Sequence, residues 1–178
     1  MSNAITRLVL ACTGLGLALA GLLPLPANAY PQTAAASASA SSTLPMMTVH
    51  RHPSCGCCGG WVAHMRQAGF PVTVVNVQDV MAPKRRLGVP ASQASCHTTE
   101  VGGYVVEGHV PAGDIKRLLR QRPAARGLVL PGMPLGSPGM EAPDGSQQAY
   151  TVQLLGSDGS LSDFQHHPAR AGSPQPAR

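Results

Sequence analysis

Three cysteines within four residues leave a chain few options. In His52-Pro-Ser-Cys-Gly-Cys-Cys-Gly-Gly-Trp61, Cys55, Cys57 and Cys58 follow a run from Met47 to Arg51 that predicts a first strand. They precede Trp61, Val62, Met65 and Ala68, which recur at helical spacing before Gly69 stops the pattern. The cysteines are therefore predicted to sit on a strand-to-helix turn. Backbone N–H groups at a helix start lack intrahelical partners and carry partial positive charge, so they favour thiolate over thiol. Beyond the N-terminal segment, the remaining cysteine is Cys96, followed by His97. What such a chain can do depends on whether its fold carries Cys96 to that turn.

The N-terminal segment itself reads as a secretory signal. Arg7 supplies a short basic region, Leu8 to Leu23 is apolar, and Ala27-Asn28-Ala29 fits a cleavage site. Glycines interrupt the run, Pro24 and Pro26 stop it, and it is short for a span of about twenty residues, which argues against a retained anchor. Cleavage after Ala29 is expected to discard Cys12 and leave 149 residues, one domain's worth. It also removes Arg7, taking the formal net charge from +5 to +4. Lys84-Arg85-Arg86 has no interleaved aromatic residues and is expected to be a solvated helix face, so no nucleic-acid partner is inferred. After cleavage no membrane association is expected either. Export places the thiols in an oxidising compartment, where disulfides are the default fate of cysteines.

The rest of the chain predicts an α/β domain. Residues 30–45 are rich in Ala and Ser and read as a flexible linker; 46–165 form the domain; 166–178 read as a disordered tail. Pro71 to Val77, β-branched and largely apolar, is expected to be a central strand, and Asp79 to Leu87 a short helix. Gly102-Gly103 should turn a hairpin between Thr98–Val101 and Tyr104–Glu107, and Pro111 should open a helix that Pro123 ends. Gly127 to Pro143, with four prolines and four glycines, is expected to be irregular, before a hairpin of Tyr150–Leu155 and Leu161–Gln165. The order β-α-β-α-β-β-α predicts a thioredoxin-like mixed sheet flanked by short helices, with a Gly/Pro-rich loop and a C-terminal hairpin.

Three chemistries compete for the thiols. Cys55 and Cys58 have the C-x-x-C spacing of a thiol-disulfide oxidoreductase, but such an enzyme needs neither Cys57 nor Cys96. Two static disulfides are a second option. A Cys57–Cys58 bridge is disfavoured, because adjacent α-carbons are about 3.8 Å apart and disulfides prefer roughly 4.4 to 6.8 Å. The third is soft-metal binding. Four thiolates suit Cu(I), zinc or an iron–sulfur cluster. Structural zinc sites usually draw on two separated knuckles, whereas here three ligands crowd one turn, an arrangement better suited to bridging several ions. Copper is the preferred metal. His97 beside Cys96, and the thioethers of Met133 and Met140 in the Gly/Pro-rich loop, are further candidate ligands. His50 and His52, expected to share a strand face, and His166-His167, next to the tail, rank below them.

Four motifs in this order carry a family resemblance: Cys55-Gly-Cys-Cys-Gly-Gly-Trp61, Ser95-Cys-His-Thr98, Tyr104-Val-Val-Glu-Gly-His-Val-Pro111 and Pro131-Gly-Met-Pro-Leu-Gly-Ser-Pro-Gly-Met-Glu141. From about Met47 to Phe164 the chain resembles the CopG-type periplasmic copper-resistance family of Gram-negative bacteria. The resemblance implies a thioredoxin-like fold, a multinuclear copper cluster on Cys55, Cys57, Cys58 and Cys96, and interconversion of Cu(I) and Cu(II) during detoxification. Other periplasmic copper-handling proteins are the partners it suggests. His166-His167-Pro-Ala-Arg170 has no counterpart in that pattern.

Overall fold

Buried and part-exposed residues alternate along β1 (Met47–Arg51), with Met47 and Val49 fully enclosed, the period of a strand laid over a core. The structure is a computed structural model describing residues 44–173; residues 1–43, with the expected signal and most of the expected linker, and 174–178 lie outside it. Helix α1 (Gly56–Gln67) begins five residues before the Trp61 start that its spacing predicted. Gly56, Gly59 and Gly60 are poor helix formers and hide the pattern, but Cys58, Trp61, Val62 and Met65 make one buried stripe. The Trp61 indole N–H donates to the Val110 carbonyl at 2.9 Å, so the ring is both packed and satisfied.

The chain then runs through β2 (Val72–Asn76), α2 (Met81–Leu87), a 3₁₀ turn (Ala91–Gln93), β3 (His97–Val101), β4 (Tyr104–Gly108), α3 (Ala112–Gln121), β5 (Gly127–Leu130), β6 (Tyr150–Leu155) and β7 (Leu161–His167). The strands form a single sheet in the order β2-β1-β3-β4-β5-β6-β7. β1 pairs with β2 and β4 with β5 in parallel, each pair joined through a helix, as parallel neighbours require; the other pairings are antiparallel. Gly102 and Gly103 take the positive φ values, 57° and 88°, that the predicted hairpin needs. Trp61, Met65, Val106, Ile115, Leu118, Leu128 and Val152 belong to one core. The result is the mixed α/β, thioredoxin-like architecture that the element order predicts.

Five expectations are corrected. β2 is an edge strand, not the central one: β4 holds the middle of the sheet with all five residues buried, while Thr73 and Asn76 of β2 are exposed. A run of β-branched residues shows strand preference but does not rank strands, because that order depends on distant pairing. Gly127–Leu130, assigned to an irregular stretch, is β5, too short at four residues to show a period. Lys84 is not on a solvated face; it is 1 % exposed and paired with Glu107, although Arg85 and Arg86 are exposed. The tail does not begin at His166. β7 continues through His167, whose ring stacks on Tyr150 and bonds Asp114 at 2.7 Å, and Arg170 bridges to Gln147. Leu44, placed in the linker, packs against the core.

Candidate metal centre

Cys55 is the N-cap of α1, and Cys57 and Cys58 occupy its first turn. The Cys55 N–H donates to the His52 carbonyl at 3.0 Å, those of Cys57 and Cys58 lie in the first turn where no intrahelical acceptor exists, no acidic residue lies in that turn, and the Arg51 guanidinium donates to the Cys55 carbonyl at 2.7 Å. The last three features leave positive potential beside the sulfurs. Positions 55 and 58, three apart, share a face, and the Cys57 sulfur stands beside them, 3.5 Å from Cys55 Sγ. Accordingly Cys55 and Cys58 are joined as a disulfide with α-carbons 5.4 Å apart, and Cys57 and Cys96 remain thiols.

Cys96 arrives at the mouth of β3, held by a buried polar network. Glu107 on β4 is fully enclosed; one carboxylate oxygen accepts from Lys84 at 2.7 Å and from the Ser95 backbone N–H at 2.6 Å, and the other accepts from the Thr98 hydroxyl at 2.7 Å. The Ser95 hydroxyl donates to the Gly132 carbonyl at 2.6 Å, tying the Cys96 segment to the Gly/Pro-rich loop. As a result the sulfurs of Cys55, Cys57, Cys58 and Cys96 all lie within 4.8 Å of one another. Burial, reinforced by the neighbouring Cys57, pushes the Cys96 thiol up to about 11, while Lys84 pulls it in the opposite direction. Soft metal binding here must displace that proton.

The loop after β5 lies directly on the first turn of α1. Gly139 has φ 84°, and a Cβ there would overlap the Cys57 carbonyl oxygen and lie 2.7 Å from the Trp61 nitrogen. A Cβ on Gly60 would come 3.0 Å from the Gly139 α-carbon. Two backbones meet here because neither carries a side chain. His109 fixes the contact from below: the Pro138 carbonyl can only accept, so Nδ1 of His109 carries the proton and donates at 2.8 Å. The loop thereby sets the Met133 sulfur 3.9 Å from Cys57 Sγ, half exposed at the rim.

The other predicted residues fare differently. Met140 closes the loop through its backbone, with its N–H on the Ser137 carbonyl and its own carbonyl on Gly136 N–H. His97 is fully buried between Trp61 and His109, at ring distances of 4.5 and 5.0 Å, and is not among the four groups that converge. Neither of its ring nitrogens has a hydrogen-bond partner among the described residues, and burial holds it neutral, well below the usual histidine range. His50 bonds Glu100, and His52 bonds Gln78. His166 bonds Thr151, and both it and His167 lie on β7, with four strands between them and β1. From sequence, Lys84 reads only as part of a solvated helix face, and Ser95, Glu107 and His109 only as members of the motifs that carry the resemblance; none of the four has a site role there. The pairing of Lys84 with Glu107 joins residues 23 apart, and no local pattern announces it.

A family model described as "Protein of unknown function, DUF411" matches residues 93–140, which include Cys96 and Met133. No curated protein matches the chain. Among solved structures, "Copper resistance protein copG- Form 1" is 47% identical, with 70% of this chain and 98% of that one covered and a TM-score of 0.66. "Copper resistance protein copG- Form 2" is 47% identical, with 70% and 99% covered and a TM-score of 0.67. With nearly all of both relatives spanned at that identity, the chain belongs to the CopG copper-resistance family.

Proposed function

We propose that this is a periplasmic copper-resistance protein, exported by a cleaved signal at residues 1–29, whose Cys55, Cys57, Cys58 and Cys96 together hold several Cu(I) ions. The observation that carries the reading is the convergence of four sulfurs within 4.8 Å, three from one helix turn and one from the distant segment that leads into β3. Thiolate donors select Cu(I), and sulfurs this crowded can bridge ions. Met133 completes the sulfur surface at its rim. When bound, copper supplies a one-electron couple; the chain supplies a positive helix end, a buried network that fixes Cys96, and a loop that limits access. Cycling between Cu(I) and Cu(II) follows as the activity, with other periplasmic copper carriers as the exchange partners.

The test is copper content and oxidation state of protein purified from the periplasm after copper challenge, beside Cys57→Ser and Cys96→Ser variants. Several Cu(I) equivalents in the wild type and their loss in both variants are expected. Full loading of Cys57→Ser would sink the cluster. A second reading, a thiol-disulfide oxidoreductase, is favoured by the Cys55–Cys58 disulfide at the helix start. It requires disulfide exchange on a protein substrate to survive in Cys57→Ser.

A further inference from the structure

Two of the four converging sulfurs are bonded to each other, and two are not. That division has a geometric basis. Cys55 and Cys58 are the N-cap and the third helical residue of one turn, and their α-carbon separation of 5.4 Å suits a disulfide. Cys57 Sγ lies 3.5 Å from Cys55 Sγ of the closed pair, 4.0 Å from Cys96 Sγ and 3.9 Å from Met133 Sδ. With metal–sulfur bonds of about 2.3 Å, as in zinc thiolates, three sulfurs placed trigonally around one ion stand about 4.0 Å apart. Closing the pair therefore leaves two free thiols and a thioether beside it, with Cys57 at the spacing from each of the other two that a trigonal soft-metal site requires.

We propose that the Cys55/Cys58 pair is the internal reductant of this site, and that Cys57, Cys96 and Met133 keep hold of Cu(I) once the pair has closed. The proposal rests on the copper-binding reading above and adds to it the source of the electrons. Two Cu(II) ions each accept one electron; the two S–H bonds of Cys55 and Cys58 break, one S–S bond forms, and two protons leave to solvent. The products are two Cu(I) ions and the disulfide state of the protein. Of those ions one fits the Cys57, Cys96 and Met133 sulfurs, and the second is released to an external acceptor. A further cycle needs an external dithiol to reopen the pair by thiol-disulfide exchange, the reaction class that must supply this protein with electrons.

The test uses the full chain, fully reduced, metal-free and anaerobic. Two equivalents of Cu(II) sulfate are added, the paramagnetic Cu(II) signal is followed, and after copper is chelated away the free thiols are alkylated. Peptide 52–66 should then carry one alkyl group, on Cys57, with Cys55 and Cys58 linked, Cys96 should be alkylated, and both Cu(II) signals should vanish. The protein oxidised at Cys55 and Cys58 should still bind one Cu(I) supplied as such, at least tenfold more weakly in Met133→Leu. Persistence of the Cu(II) signal, or linkage of Cys57 to Cys96 instead, would overturn the proposal. So would a Cys55→Ser/Cys58→Ser variant that still reduces two Cu(II). Direct titration of Cu(I) into the reduced chain separates the two failures: no binding sinks the copper reading itself, whereas binding without Cu(II) reduction sinks only the reductant.

Discussion

Replacing Lys84 with Met probes the network that delivers Cys96. Lys84 is 1 % exposed and Glu107 0 %, so water cannot compensate for a lost ammonium. Breaking a buried ion pair by removing one partner costs about 3–5 kcal/mol. Glu107 keeps two other donors, the Ser95 N–H and the Thr98 hydroxyl, which places the cost at the low end, about 3 kcal/mol. With a urea slope of about 2 kcal/mol/M, the unfolding midpoint should fall by about 1.5 M. The chain has one tryptophan, and Trp61 is fully buried in the core, so its fluorescence reports the transition directly. Lys84→Met/Glu107→Gln should recover at least half of the loss, because a neutral amide can still accept from Ser95 and leaves no unpaired charge. Loss of Lys84 should also push the Cys96 thiol higher still, since that ammonium favours its thiolate. A single-variant cost below about 1 kcal/mol, or a double variant as unstable as the sum of the singles, would refute the assignment of this pair as an obligate buried unit.

Gly139→Ala should cost about 1–3 kcal/mol from its positive φ alone, with more from overlap at Cys57, and should lift the loop so that copper bound at the rim exchanges faster in a chelator competition. Met133→Leu, at a half-exposed position, should change stability by less than about 0.5 kcal/mol while lowering Cu(I) affinity; a matching fall in the urea midpoint would instead make the residue structural. His97, His109 and His64 are all held below 6.5, in each case mainly by burial, so below that pH the unfolded chain binds more protons than the folded one. Stability of the metal-free protein should accordingly fall as pH drops through 6.5 towards 5, read as a declining thermal midpoint. At the alkaline end the sign comes from Cys96: between 9.0 and about 11 the folded thiol keeps a proton that the unfolded one gives up, so stability of the disulfide form should fall as pH rises across that interval. A Cys96→Ser variant should lack this alkaline loss.

Local chemistry determined a good deal. The strand, cysteine turn and helix, the Gly102-Gly103 hairpin, the Pro111 helix and the C-terminal hairpin were legible, because turn residues and side-chain period act within a few positions. The thiol cluster was visible as a motif, since three of its four cysteines lie on one helix turn. What the sequence could not decide was everything settled between distant residues. These are the edge position of β2, the four-residue β5, the burial of Lys84 against Glu107, and the seating of Gly139 on Cys57. The meeting of Met133 with Cys57, 76 residues apart, and the retreat of His97 from the cluster into the core belong to the same class. Strand order and burial minimise exposed apolar area and unpaired polar groups over the whole sheet, a sum in which no local window has enough terms.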